Sequence, residues 1–239
     1  MTPAMTAEPG TPTHRPPEAR IAVGPWLATG GALLALAVAW IWPLRDMASD
    51  LFAAHMFQHL LVMNGAALLI ALALPAQRHS TGLARVSMSL PIVTGVQLAL
   101  LYLWHLPALF AMAHHSIALQ IPMQLSLFAA GLLFWRAIVA CRGDKVWAPI
   151  FALLMTAKIF CLLGAAFVFS RRALYPAMGD PDAWGFTAIE DQQLAGLLMV
   201  SSCALVYVAA AIWLFARWMF ATPQHRRRSE RNDAAPIAS

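Results

Sequence analysis

The sequence predicts an all-α, polytopic membrane protein that folds as a single bundle of about six transmembrane helices. Of its 239 residues, 60% are hydrophobic and only 11% are charged, and the mean hydropathy is +0.65. A soluble globular domain has about 25% charged residues. The apolar residues also form runs of about 20, the helix length that crosses a hydrocarbon core of ~30 Å. The composition therefore excludes an ordinary soluble domain.

Six apolar segments follow one another along the chain. The first follows Arg20 and contains Ala37-Val38-Ala39, a small-residue triplet typical of signal-peptide cleavage sites. Because the triplet lies inside the apolar run and Trp40 and Trp42 follow as interfacial anchors, we expect a retained helix. The predicted spans are residues 21–43, 55–75, 90–112, 117–140, 147–170 and 193–220.

We divide the chain into one transmembrane domain and two polar tails. Residues 1–20 are rich in proline and are predicted to form a disordered cytoplasmic tail. Residues 21–222 form the helical bundle, and residues 223–239 form a second disordered cytoplasmic tail, which is basic. The long link at 171–192 contains Gly179, Pro181 and Gly185, which indicate an ordered surface loop.

The basic residues predict the orientation of the bundle. They accumulate in both tails and in the second and fourth links, so by the positive-inside rule both termini face the cytoplasm. This distribution explains the net charge of +5, and we expect contact with lipid and no nucleic-acid partner. Five of the eight histidines then gather near the outer face: His55, His59, His105, His114 and His115.

A metal site is one interpretation of these histidines. His55, His59 and Met63 recur every four residues and therefore share one helical face. His105, at the end of the third span, would add an imidazole from a second helix. Neutral imidazole and thioether ligands suit Cu(I), so we predict a copper site at His55, His59 and His105 with Met63 beside it. The alternative is an interfacial polar cluster whose members hydrogen-bond one another and water.

Asp191, in the first turn of the sixth span, also has two interpretations. A carboxylate there is stabilised by the dipole of its own helix, which needs no ligand. In the metal interpretation it lies in the second shell and orients an imidazole.

Two deeper features stand apart from the histidines. Lys158 lies near the middle of the fifth span and must be neutral and hydrogen-bonded, solvated in a cavity, or paired with a carboxylate of a partner subunit. Cys161, Cys203 and Met199 would form a second soft-metal site, although a buried cysteine more often serves as a small apolar residue.

Five motifs in this order resemble the multi-pass CtaG family, membrane proteins that assist assembly of haem-copper cytochrome c oxidases. The likeness covers about residues 51–219. The motifs are His-Met-Phe-Gln-His-Leu-Leu at 55–61, Trp-His-Leu-Pro at 104–107, Leu-Leu-Phe-Trp at 132–135, Leu-Tyr-Pro at 174–176, and Asp191-Gln192 followed by Gly196 and Met199.

The resemblance implies an oxidase assembly factor in the bacterial plasma membrane, with oxidase subunits as partners and a role at the copper centre. His55, His59, His105 and Asp191 match polar positions of the family. The chain departs from the pattern at the start of the fourth helix, where Gln120 and Gln124 stand in place of histidine, and at Val200, where tryptophan is expected. Glutamine is a poor ligand for copper.

Other function classes require different features of the sequence. A haem-binding electron-transfer protein would use His105 opposite His55 or His59 as axial ligands. A transporter needs a polar path across the whole bilayer, whereas this chain concentrates its polar residues at one end. The sequence has no HExxH, GxSxG or phosphate-binding glycine loop, so we expect no catalytic turnover. The predicted function is oxidase assembly, with copper handled or delivered at the outer face.

Overall fold

The computed structural model describes residues 24–75, 89–141, 146–175 and 179–220. Within these ranges all of the regular secondary structure is helical, and there is no strand. The predicted tails and most of the basic residues used to orient the bundle lie outside these ranges, so the cytoplasmic location of both termini remains a prediction. The helices are α1 Pro25–Trp40, α2 Leu44–Asp50, α3 Phe52–Ala73, α4 Leu90–Trp104, α5 Pro107–His115, α6 Ile117–Ala140, α7 Trp147–Phe169 and α8 Ala188–Phe220.

The helices account for up to six membrane spans. Four of them, α3, α6, α7 and α8, are individually long and apolar enough to cross a bilayer. The pairs α1–α2 and α4–α5 meet the same criterion only together, and they bend by 45° and 75° at the junction. The structure thus confirms the predicted all-α, multi-span architecture.

Helix α3 lies at the centre of the bundle. It packs against α1, α2, α6 and α8. In its most apolar 18-residue window, 56% of the residues are buried within the protein, compared with 22–39% for the other three long helices. The helix that carries His55 and His59 is therefore the one most shielded from lipid.

The third span, predicted as one continuous helix over residues 90–112, is broken in the structure. Helix α4 ends at Trp104, and α5 starts at Pro107 after a 75° bend. Proline disfavours the α conformation of the preceding residue, and Leu106 accordingly has an extended backbone (φ −66°, ψ 125°). The break leaves His105 at the C-terminal end of α4, in the turn between the two helices.

Two π-helical turns, Leu61–Ala66 in α3 and Cys203–Val208 in α8, face each other in the core. The Tyr207 hydroxyl donates to Asn64 Oδ1 (2.7 Å) and accepts from Gln97 Nε2 (3.1 Å). The Trp135 ring stacks on Tyr207 with centroids 5.3 Å apart. A π turn shifts the helical register, so the period-3.6 pattern of the sequence did not predict this network, which joins α3, α4 and α8.

Helices α7 and α8 touch through a pair of glycines. A Cβ atom on Gly196 would lie 2.5 Å from the Gly164 carbonyl oxygen, and one on Gly164 would lie 2.9 Å from the Gly196 carbonyl oxygen. Small residues let helix backbones approach closely in a membrane, where no hydrophobic force draws helices together. This contact holds the start of α8, including Asp191, against the rest of the bundle.

Gly196→Ala is expected to force α7 and α8 apart and to lower the free energy of unfolding by about 1–3 kcal/mol, the usual cost of overpacking. Thermal unfolding of the purified protein in detergent measures the effect. Gly95→Ala is the matched control, because a Cβ atom at Gly95 meets nothing within 4 Å. Equal unfolding temperatures for the two variants would contradict the close contact.

Candidate functional site

The start of α3 is held by a side chain from another helix. Leu51, the residue before α3, has no polar side chain to accept from the first backbone amides of the helix. Asp191 of α8 does so instead: its Oδ2 accepts from Phe52 N (2.7 Å) and its Oδ1 from Ala53 N (2.9 Å). The carboxylate is only 3% exposed, so both bonds are shielded from water.

Asp191 is itself positioned by the way α8 begins. Thr187 and Glu190 form a capping box, in which each side chain binds the backbone amide of the other residue. From the sequence, Asp191 was expected either to be stabilised by the dipole of its own helix or to lie in the second shell of a metal site. In the structure its hydrogen bonds go to the backbone of α3, one turn before His55, so its influence on the imidazoles passes through that helix.

The imidazoles of His55 and His59 face each other directly. Their Nε2 atoms are 2.8 Å apart and their ring centroids 4.5 Å apart. His55 and His59 are 2% and 5% exposed, so neither side chain is freely solvated among the lipid headgroups. The predicted i, i+4 relation therefore brings two buried ring nitrogens into contact.

His105 completes the cluster from the turn after α4. Its Nδ1 is 2.6 Å from the Leu101 carbonyl oxygen, which fixes the ring and directs Nε2 towards Met56 Sδ at 3.2 Å. The His105 ring centroid lies 6.4 Å from that of His59. The Tyr175 hydroxyl, from the loop before α8, donates to the His105 carbonyl oxygen at 2.5 Å. Burial raises the pKa of Tyr175, so the hydroxyl keeps its proton and remains a donor.

Aromatic rings close the space around the imidazoles. The Phe110 ring is edge-on to His55 with centroids 5.1 Å apart, and the Phe167 centroid is 6.2 Å from that of His105. Phe52 stacks on Tyr175 and touches both phenylalanines. These rings exclude water and lower the local dielectric, which strengthens every electrostatic interaction inside the cluster.

The hydrogen bonds at His59 cannot all be formed at once. Its Nε2 is 2.8 Å from His55 Nε2 and 3.3 Å from the amide nitrogen of Gln124, which can only donate. If His59 Nε2 accepts from Gln124, it cannot donate to His55. Its buried Nδ1 has no hydrogen-bond partner in the described part of the chain. At least one imidazole nitrogen of the cluster therefore has no hydrogen bond to the described part of the protein.

The structure brings together some of the predicted site residues and adds others. His55, His59 and His105 converge, but the thioether that touches an imidazole belongs to Met56. Met63 is buried two turns deeper, where its carbonyl accepts from Trp135 Nε1. The helical-face rule selected Met63 and passed over Met56, because Met56 follows His55 directly and so points to a different side of α3, where it meets His105.

No group of three or more His, Cys, Asp or Glu side chains in the described ranges is arranged to hold a metal ion. The three-imidazole site therefore reduces to the His55–His59 pair, with Met56 and His105 beside it. Metal–nitrogen bonds are about 2.0 Å long, so two nitrogens on one ion lie roughly 3–4 Å apart. The pair fits a soft ion after the two rings separate by about 1 Å, a shift within reach of small rotations of the side chains.

A haem would require a different arrangement. Its axial imidazoles must face each other across the porphyrin plane, with their nitrogens on the iron. Here His55 Nε2 points at His59 Nε2, and His105 Nε2 points at Met56 Sδ. The observed orientation favours a small ion over a macrocycle.

These features define a multi-span membrane protein with a buried histidine cluster at one end of its central helix. The family model described as cytochrome c oxidase caa3 assembly factor (Caa3_CtaG) matches residues 12–221, and the chain belongs to this family. No curated protein and no solved structure matches it. The match confirms the resemblance drawn from the five motifs and identifies cytochrome c oxidase as the assembly target of the family.

Asp191→Ala is expected to leave two buried amides of α3 without an acceptor and to lower the free energy of unfolding by about 1–3 kcal/mol. Asp191→Asn keeps one acceptor oxygen and should cost less. Thermal unfolding in detergent ranks the two variants, with Asp182→Ala, a change at an exposed carboxylate, as the control. The capping role is refuted if Asp191→Ala is no less stable than the control.

Proposed function

We propose that this assembly factor binds Cu(I) at the His55–His59 pair and delivers it to a haem-copper oxidase at the outer face of the bacterial plasma membrane. The observation that carries the proposal is the 2.8 Å contact between two buried imidazole nitrogens. The His105 ring centroid lies 6.4 Å from that of His59, and Met56 Sδ contacts His105. The function is binding and transfer, without catalytic turnover.

The ligand chemistry supports a soft, monovalent ion. Imidazole and thioether are uncharged ligands that suit Cu(I). Asp191, a buried carboxylate in the first turn of α8, accepts hydrogen bonds from the α3 backbone. Its charge is therefore not directed at the histidine cluster. A divalent ion such as Zn²⁺ would bring twice the charge into a water-poor pocket without a carboxylate to offset it, which is costly.

The depth of the pair supports exchange with a partner. His55 is the fourth residue of α3 and lies about 5 Å from the start of the helix. His105 lies in the turn between α4 and α5, and the Tyr175 hydroxyl donates to its carbonyl oxygen. The cluster is therefore close to the end of the bundle, where an oxidase subunit at the rim of the bilayer would reach it.

The test is copper loading of the purified protein in detergent with Cu(I), followed by gel filtration and inductively coupled plasma measurement. The wild-type protein should retain about one copper per chain, and His55→Ala and His59→Ala should lose it, since a single imidazole is a weak site. His115→Ala, a change at an exposed histidine, is the control and should retain the ion. Equal copper content in all four proteins would overturn the site.

In cells, deletion of the gene is expected to lower the copper content of the oxidase while its haem content is maintained. The His55→Ala, His59→Ala double variant should fail to restore copper, and His115→Ala should restore it. Copper and haem are measured on the oxidase purified from each strain. An oxidase with normal copper in the deletion strain would contradict the delivery role and leave family membership untouched.

A further inference from the structure

Lys158 occupies the middle of a membrane span and points out of the protein. It is the twelfth of the 23 residues of α7, so it lies about 16 Å from either end of the helix. Its side chain is exposed. A solvated cavity was one of the environments that the sequence suggested for Lys158, but the structure places the side chain on the outer surface of the bundle.

Lys158 is unlike the other basic residues of the long helices. Arg136 donates to the carbonyl oxygens of Ala71, Leu74 and Pro75, and the Arg217 guanidinium lies 5.4 Å from the centre of the Trp213 ring. Within the ranges that the structure describes, Lys158 has neither a hydrogen bond nor an ion pair. The chain therefore satisfies two of these three cations and leaves the deepest one without a partner.

The surface around Lys158 is apolar. Lys158 and the exposed residues one to three turns away on the same side of α7 form what we call the Lys158 face, which consists of Phe151, Leu154, Lys158, Leu162 and Phe169. Against lipid, this face would hold an ammonium group at the centre of the hydrocarbon. The four-carbon stem of lysine spans only part of the ~15 Å to either headgroup region, so lipid phosphates cannot neutralise it.

We propose that the Lys158 face docks a transmembrane helix of another protein that carries an Asp or Glu at mid-bilayer depth. A carboxylate in the middle of the bilayer is as costly as an ammonium group there, and each is stabilised by pairing with the opposite charge. Charged residues inside membranes usually pair in this way or mark functional sites. The flanking phenylalanines and leucines supply the apolar packing that shields the pair from water. The ion pair fixes both the register and the identity of the docked helix.

A second copy of this chain does not supply an acidic residue at mid-bilayer depth. The acidic residues of the described ranges all lie at the end of the bundle where α8 begins or in α2, which contacts that end through the Trp184–Asp50 hydrogen bond. None of these lies at the depth of Lys158, and the five acidic residues outside the described ranges fall outside the six predicted spans of the sequence. The partner is therefore a different protein, and the contact is independent of copper, because the histidine cluster is at the end of the bundle and Lys158 is at its middle.

The experiment places a photo-crosslinking residue at Leu162, one turn from Lys158, in the full-length chain expressed in its own membranes. We expect a crosslinked peptide that is a transmembrane segment containing Asp or Glu. Its yield should fall roughly tenfold or more in Lys158→Met and persist in Lys158→Arg, which keeps the charge. A crosslinker at Leu125, an exposed position on α6, is the control and should not capture this segment.

Three results would overturn the proposal: crosslinks to lipid or to this chain alone, capture of a segment without an acidic residue, or a yield that Lys158→Met leaves unchanged. If Lys158→Met does not accumulate, the captured carboxylate is changed to its amide, and the same loss of crosslinking is expected. Copper retention by Lys158→Met is measured in parallel. Normal copper with lost crosslinking separates this contact from the copper site.

Discussion

The pair of hydrogen bonds from the Asp191 carboxylate to the Phe52 and Ala53 amides sets the geometry on which the histidine cluster depends. It fixes the first turn of α3 against α8, and His55 follows one turn later. The capping box at Thr187 and the glycine contact between α7 and α8 hold Asp191 in place from its own side. Two helices far apart in sequence thus define one end of the pocket.

The pocket gathers its side chains from elements that meet at this end. The break at Leu106-Pro107 leaves His105 in the turn beside α3, and the Tyr175 hydroxyl donates to the His105 carbonyl oxygen. Because aromatic rings exclude water, the facing imidazoles lack the solvent that would otherwise satisfy their nitrogens. The proposed Cu(I) ion would lie between the two Nε2 atoms and replace the contact that they make with each other.

The sequence predicted the features that depend on hydropathy and helical spacing. The long spans, the i, i+4 contact of His55 with His59 and the family follow from residue patterns alone. The bend at Pro107 was missed, although Leu106-Pro107 was a signal for it. The cap that Asp191 places on α3, the choice of Met56 over Met63 and the outward direction of Lys158 depend on packing between helices, and no local pattern specifies that packing.

The central claim is that His55 and His59 share one Cu(I) ion. X-ray absorption at the copper K-edge of the loaded protein tests it most directly, because the spectrum reports oxidation state and ligand type together. The account predicts Cu(I) with two imidazole nitrogen neighbours. A spectrum of Cu(II) surrounded by oxygen, or of Cu(I) bound only to sulfur, would contradict it.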